Sequence, residues 1–355
     1  MAILVFIALL AVLILVHELG HFLMAKKEGV KVEEFAFGFP PRLWSKKIKG
    51  TVYSLHLIPL GGYVRLYGED EPRGKGSFIS KSVWSRFKIV SAGVIMNLLL
   101  GYLFLLIYLG LGNGPLASNP SDYSSWVNSY RIYPIILQID SDSAAEKMGL
   151  KVGDIILQVN GREFERAESF SRFTAQNPNQ EIEMSVQRDK EVLALKGKID
   201  SNESRGEIGV TVADYFDKVR FKWWAVPLMA GIDLFNLIAT ILYFFGNLVL
   251  SLFGRAQPIG TVVGPVGIYI LTKKAVELGF SYVLRLATFL TVNLALVNFL
   301  PLPALDGGRA ILLGLEKIKG KRLKPEVESW VHLVGFIVIL VLMVALTIRD
   351  IVKLF

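Results

Sequence analysis

The chain has 355 residues, 52% of them hydrophobic, and its mean hydropathy of +0.47 is typical of a membrane protein rather than a soluble one. Charged residues still make up 20%, so part of the chain faces water. The net charge of +8 does not indicate nucleic-acid binding, because the basic residues concentrate in two stretches beside apolar segments, the pattern of cytoplasmic loops. The two stretches contain Lys26, Lys27, Lys31, Arg42, Lys46, Lys47 and Lys49, and then Arg309, Lys317, Lys319, Lys321, Arg322 and Lys324. The absence of cysteine excludes disulfides, thiolate metal ligands and a cysteine nucleophile.

Four segments are long and apolar enough to cross a bilayer as helices, which takes about 20 residues. They are residues 2–24, 87–111, 286–300 (extended backwards by 282–285) and 331–348. No basic residue precedes the first segment, whereas several follow it. We therefore interpret it as a retained helix with its N-terminus outside, and a cleaved signal peptide is the alternative.

Between the first two spans, residues 32–67 are rich in aromatic and β-branched side chains. Within this region, 51–58 and 63–67 flank Pro59-Leu60-Gly61-Gly62 and predict a membrane-associated β-hairpin. Its open edge could pair with an unwound substrate, and a self-contained small sheet is the alternative.

Between the second and third spans lies a predicted soluble α+β domain at residues 128–213. Strands are predicted at 135–139, 154–160, 181–187 and 192–196, and short helices at 143–149 and 168–176. The expected architecture is therefore a membrane α-helical bundle of about four spans, with a β-hairpin or sheet region and an inserted soluble domain.

Residues 222–280 are ambiguous. The segment 230–252 is apolar enough to span, but four spans from an outside N-terminus already place both basic stretches in the cytoplasm. A fifth span would move the second stretch outside. We therefore favour an interfacial or partly inserted helix, or a helical hairpin with 264–278. The predicted membrane core comprises 1–112 and 281–355.

His17-Glu18-Leu19-Gly20-His21 ends the first apolar segment and carries the clearest chemical signal. Residues i and i+4 lie on one helix face, so both imidazoles can reach one metal ion with Glu18 beside them. Ionisable groups inside a membrane cost about 2.5–3.5 kcal/mol each, so they indicate function. The alternative is a pair of polar residues that snorkel at the helix end.

A zinc site of this type needs another protein ligand, and the candidates are His56, His332 or a carboxylate. Asp306 is the best carboxylate, because it follows the helix-breaking Pro301-Leu302-Pro303 and precedes two glycines that allow close approach. Alternatively, Asp306 only caps the helix that follows it. Beside an intramembrane histidine pair, ligation is favoured.

Three motifs in this order resemble the site-2 protease family of intramembrane zinc metalloproteases, peptidase family M50, and especially its regulator-of-sigma-E branch. They are His17–His21 in the first span, Gly93-Val-Ile-Met-Asn97 in the second and Asn298-x-x-Pro-x-Pro-x-Leu-Asp306-Gly307 in the third. The resemblance implies that His17, His21 and Asp306 bind Zn²⁺, with Glu18 as general base. It also implies that Asn293 and Asn298 contact substrate, and that Gly93 and Asn97 serve packing or substrate handling.

The residues themselves leave these last roles open. Gly93 and Asn97 lie on one helix face, where ordinary small-residue packing is the alternative to substrate handling. Asn298 precedes the proline break, so it could bind an extended substrate or satisfy backbone carbonyls that Pro301 leaves unpaired.

The soluble domain resembles a bacterial PDZ domain, through Ser143-Ala-Ala-Glu-Lys-Met-Gly149-Leu150 and Gly153-Asp-Ile-Ile-Leu-Gln-Val-Asn160-Gly161. PDZ domains bind peptide C-termini by adding a strand to a sheet edge. The chain has one module of this size, whereas the best-known sigma-E regulators carry two.

The sequence therefore predicts a metalloendopeptidase of the bacterial cytoplasmic membrane that cleaves single-pass membrane proteins within or near their transmembrane segments. The resemblance leaves two kinds of substrate open, anti-sigma factors and signal-peptide remnants. The basic stretches place the active site near the cytoplasmic side and the PDZ-like domain outside. The main alternative is a catalytically silent PDZ scaffold, which predicts damaged metal or base residues. A transporter would need charges along several helices, and only Asp233 and Arg285 are further candidates.

Overall fold

A computed structural model of the protein describes residues 1–69, 74–188, 191–200, 208–254, 262–321 and 325–352. The chain forms two compact units. The helical unit comprises Met1–Leu106 and Ala230–Phe355, and the sheet unit comprises Ile107–Met229. Arg322 and Lys324 of the second basic stretch lie outside the described residues.

Five helices are long and apolar enough to cross a membrane. They are α1 (Ala2–Lys27), α2 (Val83–Gly110), α5 (Ala225–Leu252), α7 (Phe280–Phe299) and α9 (Pro325–Val352). The four predicted spans are thus confirmed as helices. The ambiguous segment 230–252 lies within α5, one continuous helix of 28 residues.

Two shorter helices complete the described part of the helical unit, α6 (Pro265–Leu278) and α8 (Asp306–Lys319). At 1.5 Å per residue, the 14 residues of each span roughly 21 Å, which is less than a bilayer core.

Contacts between the helices give their directions. Lys88 pairs with Glu28, whereas Gly93 lies against His17, so α1 and α2 are antiparallel. Ala287 packs with Leu13. Farther along α7, Asn298 meets His17, so α7 runs parallel to α1.

The β region of the helical unit differs from the predicted hairpin. Strands β1 (Val32–Ile48) and β2 (Thr51–Leu66) meet at a two-residue turn, Lys49-Gly50, where both φ angles are positive, as a tight hairpin turn requires. Both halves of β2 pair with the start of β1: Ala36 faces Ser54 on one side and Tyr63 on the other. The prediction that 51–58 pairs with 63–67 is therefore wrong, because the first half of β1 lies between them.

The sheet unit contains a six-stranded sheet in the order β7-β6-β4-β3-β8, with β5 beside β4. The strands are β3 (Val127–Ile139), β4 (Ile155–Val159), β5 (Arg162–Glu163), β6 (Glu181–Arg188), β7 (Glu191–Lys198) and β8 (Val210–Phe221). Helices α3 (Ala144–Lys147) and α4 (Ala167–Gln176) accompany them. The four predicted strands and two predicted helices are confirmed, whereas β5 and β8 were not predicted. The core contains Ile136, Ile156, Phe170 and Met184.

Candidate metal centre

Two imidazoles on α1 face the same point. His17 and His21 are one helical turn apart, and their Nε2 atoms lie 3.1 Å from each other. The Nδ1 atom of His21 lies 2.8 Å from the carbonyl oxygen of Ile89 on α2 and donates to it. This bond leaves Nε2 of the neutral ring available as a ligand, the arrangement expected behind a metal-binding histidine.

Asp306 on α8 completes the group. Its Oδ2 atom lies 3.1 Å from Nε2 of His17 and 3.2 Å from Nε2 of His21. Leu305 is the residue at the cap position, and no side-chain capping hydrogen bond is found there, so the Asp306 carboxylate points to the imidazoles instead. Burial works to raise the pKa of Asp306, but the two imidazoles outweigh it and lower that pKa, which keeps the carboxylate ionised.

The three residues fit a zinc ion. Nitrogen and oxygen ligands about 2.0–2.1 Å from tetrahedral zinc lie roughly 3.3 Å from one another. The three observed separations, 3.1, 3.1 and 3.2 Å, are close to that value. Within the described parts of the chain, these residues are the one group of three histidine, aspartate or glutamate side chains close enough to share a metal ion.

Close helix packing holds the centre together. A β-carbon at Gly93 on α2 would lie 2.8 Å from Nε2 of His17 and would also overlap His21. A β-carbon at Gly20 on α1 would overlap the Ala92 carbonyl group. Both positions therefore require glycine, because the imidazoles and the neighbouring helix occupy the space of a side chain.

Glu18 lines a cavity of about 800 Å³ together with His17, His21 and Asp306. One wall of the cavity is the end of β2, residues 62–66. A β-carbon at Gly62 would lie 3.1 Å from Cγ of Glu18, so this strand passes directly beside the carboxylate.

The other predicted site residues have different positions. The Asn298 side-chain nitrogen lies 3.4 Å from Nε2 of His17. Asn97 is fully buried, and none of the described contacts brings Asn293 to the histidines. His56, an alternative ligand, instead places Nδ1 3.1 Å from the Gly38 carbonyl oxygen, to which it donates.

Sequence reasoning missed two features of the cavity. Arg309, one turn after Asp306, forms an ion pair with Glu69 across the cavity. His332 lines the same cavity, yet its Nδ1 accepts a hydrogen bond from the Ala304 backbone N–H at 3.2 Å. Both contacts join residues far apart in the sequence, so no local sequence pattern predicts them.

Known metalloproteases resemble this chain over nearly its whole length. Residues 5–342 match the family described as peptidase family M50. The chain is 28% identical over 437 residues to the regulator of sigma-W protease RasP of Bacillus subtilis, with 99% of this chain and 98% of that protein covered. It is 33% identical over 354 residues to a candidate zinc metalloprotease of Clostridium acetobutylicum, covering 98% and 96%. The PDZ domain of an SdrC-like protein from Listeria monocytogenes matches 23% of this chain and 86% of that domain, with 18% identity and a TM-score of 0.21.

The chain therefore belongs to peptidase family M50. Together with the membrane-length helices, this makes it an integral membrane zinc metalloprotease of the site-2 type. The predicted enzyme class and the predicted Zn²⁺ cofactor are confirmed, and the silent scaffold is not favoured.

Proposed function

We propose that His17, His21 and Asp306 hold the zinc ion and that Glu18 is the general base for hydrolysis of a peptide bond in a membrane-bound substrate. The observation that carries this proposal is the spacing of the three ligand atoms, 3.1–3.2 Å, with Glu18 in the same cavity wall. The substrates are single-pass membrane proteins cleaved within or near the transmembrane segment.

Zinc, when bound, supplies a Lewis acid that polarises the scissile carbonyl group and lowers the pKa of a coordinated water. Glu18 accepts a proton as the water oxygen forms a bond to the carbonyl carbon. Glu18 then donates this proton to the leaving nitrogen as the C–N bond breaks. The products are a carboxylate and an amine, so water is the only co-reactant.

The substrate must be extended to react, because the amides of a helix in lipid are bonded within the helix. Residues 62–66 support binding of such an extended segment. They form an outer strand that pairs with β1 on one side, and they line the cavity beside Glu18. Main-chain pairing with this edge would give affinity that tolerates different side chains.

Asparagine side chains supply further substrate contacts in this proposal. Asn298 lies at the end of α7 beside His17, where its amide can bond an extended backbone. Asn293 lies on the same helix, and we assign it a weaker substrate contact. Gly93 acts by letting α2 approach the metal centre. Asn97, fully buried one turn further along α2, serves packing or substrate handling.

For the topology we propose four spans, α1, α2, α7 and α9, with the N-terminus outside. This count places both basic stretches in the cytoplasm and the metal centre near the cytoplasmic side. Helix α5, within the region 222–280, is then interfacial or partly inserted. The core halves are 1–112 and 281–355, and the PDZ-like domain at 128–213 lies outside the bacterial cytoplasmic membrane.

The PDZ-like domain acts as a filter for substrates, by size or through peptide C-termini that it binds. Substrates already shortened by another protease would pass this filter. Anti-sigma factors are supported as one class by the name of the Bacillus subtilis relative, a regulator of sigma-W protease. Signal-peptide remnants are the second class.

The proposal is tested by replacing Glu18 with Gln in the full chain. Loss of a general base costs about 10²- to 10⁴-fold in rate, so cleavage of a single-pass membrane substrate in proteoliposomes should fall by that factor. Zinc content should stay that of the wild type, because Glu18 is not among the three proposed ligands. A gel-based cleavage assay and metal analysis of the same preparation measure both.

Glu33→Gln is the matched control, since Glu33 lines the same cavity. It should keep activity within a few-fold of the wild type. Unchanged cleavage by Glu18→Gln would contradict the assignment of the base, and equal losses in both variants would assign the effect to cavity charge rather than to proton transfer.

A further inference from the structure

The segment that leads into Asp306 has an unfavourable backbone conformation. Ala304 has a φ of 72°, in the left-handed region that residues with a β-carbon rarely adopt. It lies two residues before Asp306, between Pro303 and Leu305. Something outside the segment must therefore stabilise this turn, because Ala304 by itself disfavours it.

The stabilising contact comes from α9. The Ala304 backbone N–H donates to Nδ1 of His332 at 3.2 Å, so the neutral His332 ring carries its proton on Nε2. Nearly one turn further along α9, Gly335 lies against Pro303, and a β-carbon there would overlap the proline ring and carbonyl. Helix α9 thus contacts two consecutive residues of the segment.

Among its described residues, helix α9 has few other points of attachment. In its most apolar stretch of 18 residues, only 6% of the residues are buried. Gly335 and Asp350 are the buried residues among those described in this helix. Asp350, at the far end, accepts a hydrogen bond from the Gly267 N–H on α6 at 2.8 Å. The contact with Ala304 and Pro303 therefore joins α9 to the segment that carries Asp306.

We infer that His332 is a positioning residue for the zinc ligand Asp306: its Nδ1 holds Ala304 in the left-handed conformation that aims the carboxylate at His17 and His21. The inference rests on the proposed ligand set. It also gives a role to a histidine that sequence reasoning considered only as a possible ligand.

Two substitutions at His332 distinguish a positioning role from zinc ligation and from simple packing. His332→Asn keeps an acceptor atom close to the position of Nδ1 but removes the imidazole, whereas His332→Leu keeps apolar volume and removes the acceptor. We expect His332→Asn to bind zinc like the wild type. His332→Leu should bind it about fivefold to thirtyfold more weakly, the factor that matches the cost of an unsupported left-handed residue. Equilibrium zinc binding in detergent, against a chelator of known affinity, measures both.

A further substitution, at Ala304, tests whether the backbone conformation is responsible. Glycine tolerates a positive φ, so Ala304→Gly in the His332→Leu background should restore most of the lost affinity. Val334→Ala, an exposed position on the same helix, is the control and should have no effect.

Wild-type binding by His332→Leu would overturn the inference. So would equal losses in His332→Asn and His332→Leu, because a histidine that ligates zinc cannot be replaced by asparagine without loss. Failure of Ala304→Gly to rescue would overturn it as well. If the leucine variant does not fold, weakened zinc binding by His332→Asn alone still overturns the inference. Asp306→Ala, measured in parallel, identifies failure of the ligand set itself: that variant would then keep its zinc.

Discussion

The two units treat buried polar groups differently. In the sheet unit, Asp154 is fully buried and forms two hydrogen bonds of 2.8 Å with the Arg188 guanidinium and one of 2.9 Å with the Lys151 N–H. Around it the core is apolar, with Ile156 and Val186 fully buried. The buried charge here serves the fold.

In the helical unit, polar atoms are buried without a hydrogen bond. Among the described residues these include Nδ1 of His17, Oγ of Ser91 and both amide atoms of Asn97. Leaving such groups unpaired costs about 1–3 kcal/mol each. His17 belongs to the candidate metal centre. Asn97 lies one helical turn from Gly93, and Gly93 adjoins that centre.

The difference indicates where function resides. The sheet unit satisfies its buried Asp154 with hydrogen bonds, whereas the helical unit leaves polar atoms unpaired at and near the candidate metal centre. Substitutions beside the metal centre should therefore change zinc binding and activity. Substitutions at the buried ion pair of the sheet unit should change stability and leave zinc binding unaltered.

Among the substitutions that test this contrast between the two units, Gly93→Ala has the largest expected effect. Its β-carbon would overlap the two imidazoles, so zinc affinity should fall about tenfold to a hundredfold, the range seen when the surroundings of metal ligands are disturbed. Zinc titration of the purified protein measures the change. Gly246→Ala in α5 is the control, because a β-carbon there meets no atom within 4 Å. Unaltered affinity in Gly93→Ala would contradict the packing argument.

The second-largest effect is expected on the stability of the sheet unit. Asp154→Asn removes one charge of the buried pair, and with the Arg188 side chain 24% exposed we expect a loss of about 2–3 kcal/mol in the free energy of unfolding, somewhat below that of a fully buried pair. Denaturant unfolding of the full chain measures this loss, and zinc affinity should not change. Glu168→Gln breaks an exposed pair with Arg172 and should cost under about 1 kcal/mol. A fall in the zinc affinity of Asp154→Asn would contradict the view that this buried pair stabilises the sheet unit without affecting the metal centre.

The smallest effect is a pH dependence in the β sheet of the helical unit. Burial works to raise the pKa of Glu34, but hydrogen bonds from Ser54 and Tyr63 and the charges of Arg42 and Arg65 outweigh it and lower that pKa. A lowered folded-state pKa contributes stability that is present above the ordinary value of 4.5 and is lost as the pH falls through the lower, folded value. The melting temperatures of wild type and Glu34→Gln should therefore converge as the pH drops below about 4.5. A constant difference between them would contradict this origin.

Local patterns predicted the long helices and the three side chains, His17, His21 and Asp306, that the structure brings together. The spacing of His17 and His21 follows from one helical turn, and Pro301 and Pro303 indicate a break that frees Asp306. The packing was not predictable: that Gly93 must make room for two imidazoles follows only from the contact between α1 and α2.

Pairing of distant segments was the other limit. The sequence around Pro59-Leu60-Gly61-Gly62 suggested a turn, but nothing local shows that residues 32–37 lie between the two halves of β2. The contact of His332 with Ala304 joins residues that are 28 positions apart in the sequence. It depends on a left-handed backbone conformation at Ala304, which an alanine in the sequence does not predict.

The zinc content of the purified protein, measured for the wild type beside Asp306→Ala, tests the central claim most directly, and it needs no known substrate. The wild type should hold about one zinc ion per chain, and Asp306→Ala should lose most of it, because two imidazoles alone bind zinc weakly. His56→Ala should retain zinc, since that side chain bonds Gly38 instead. Zinc retained in full by Asp306→Ala would contradict the account and move the third ligand to another residue, such as His332.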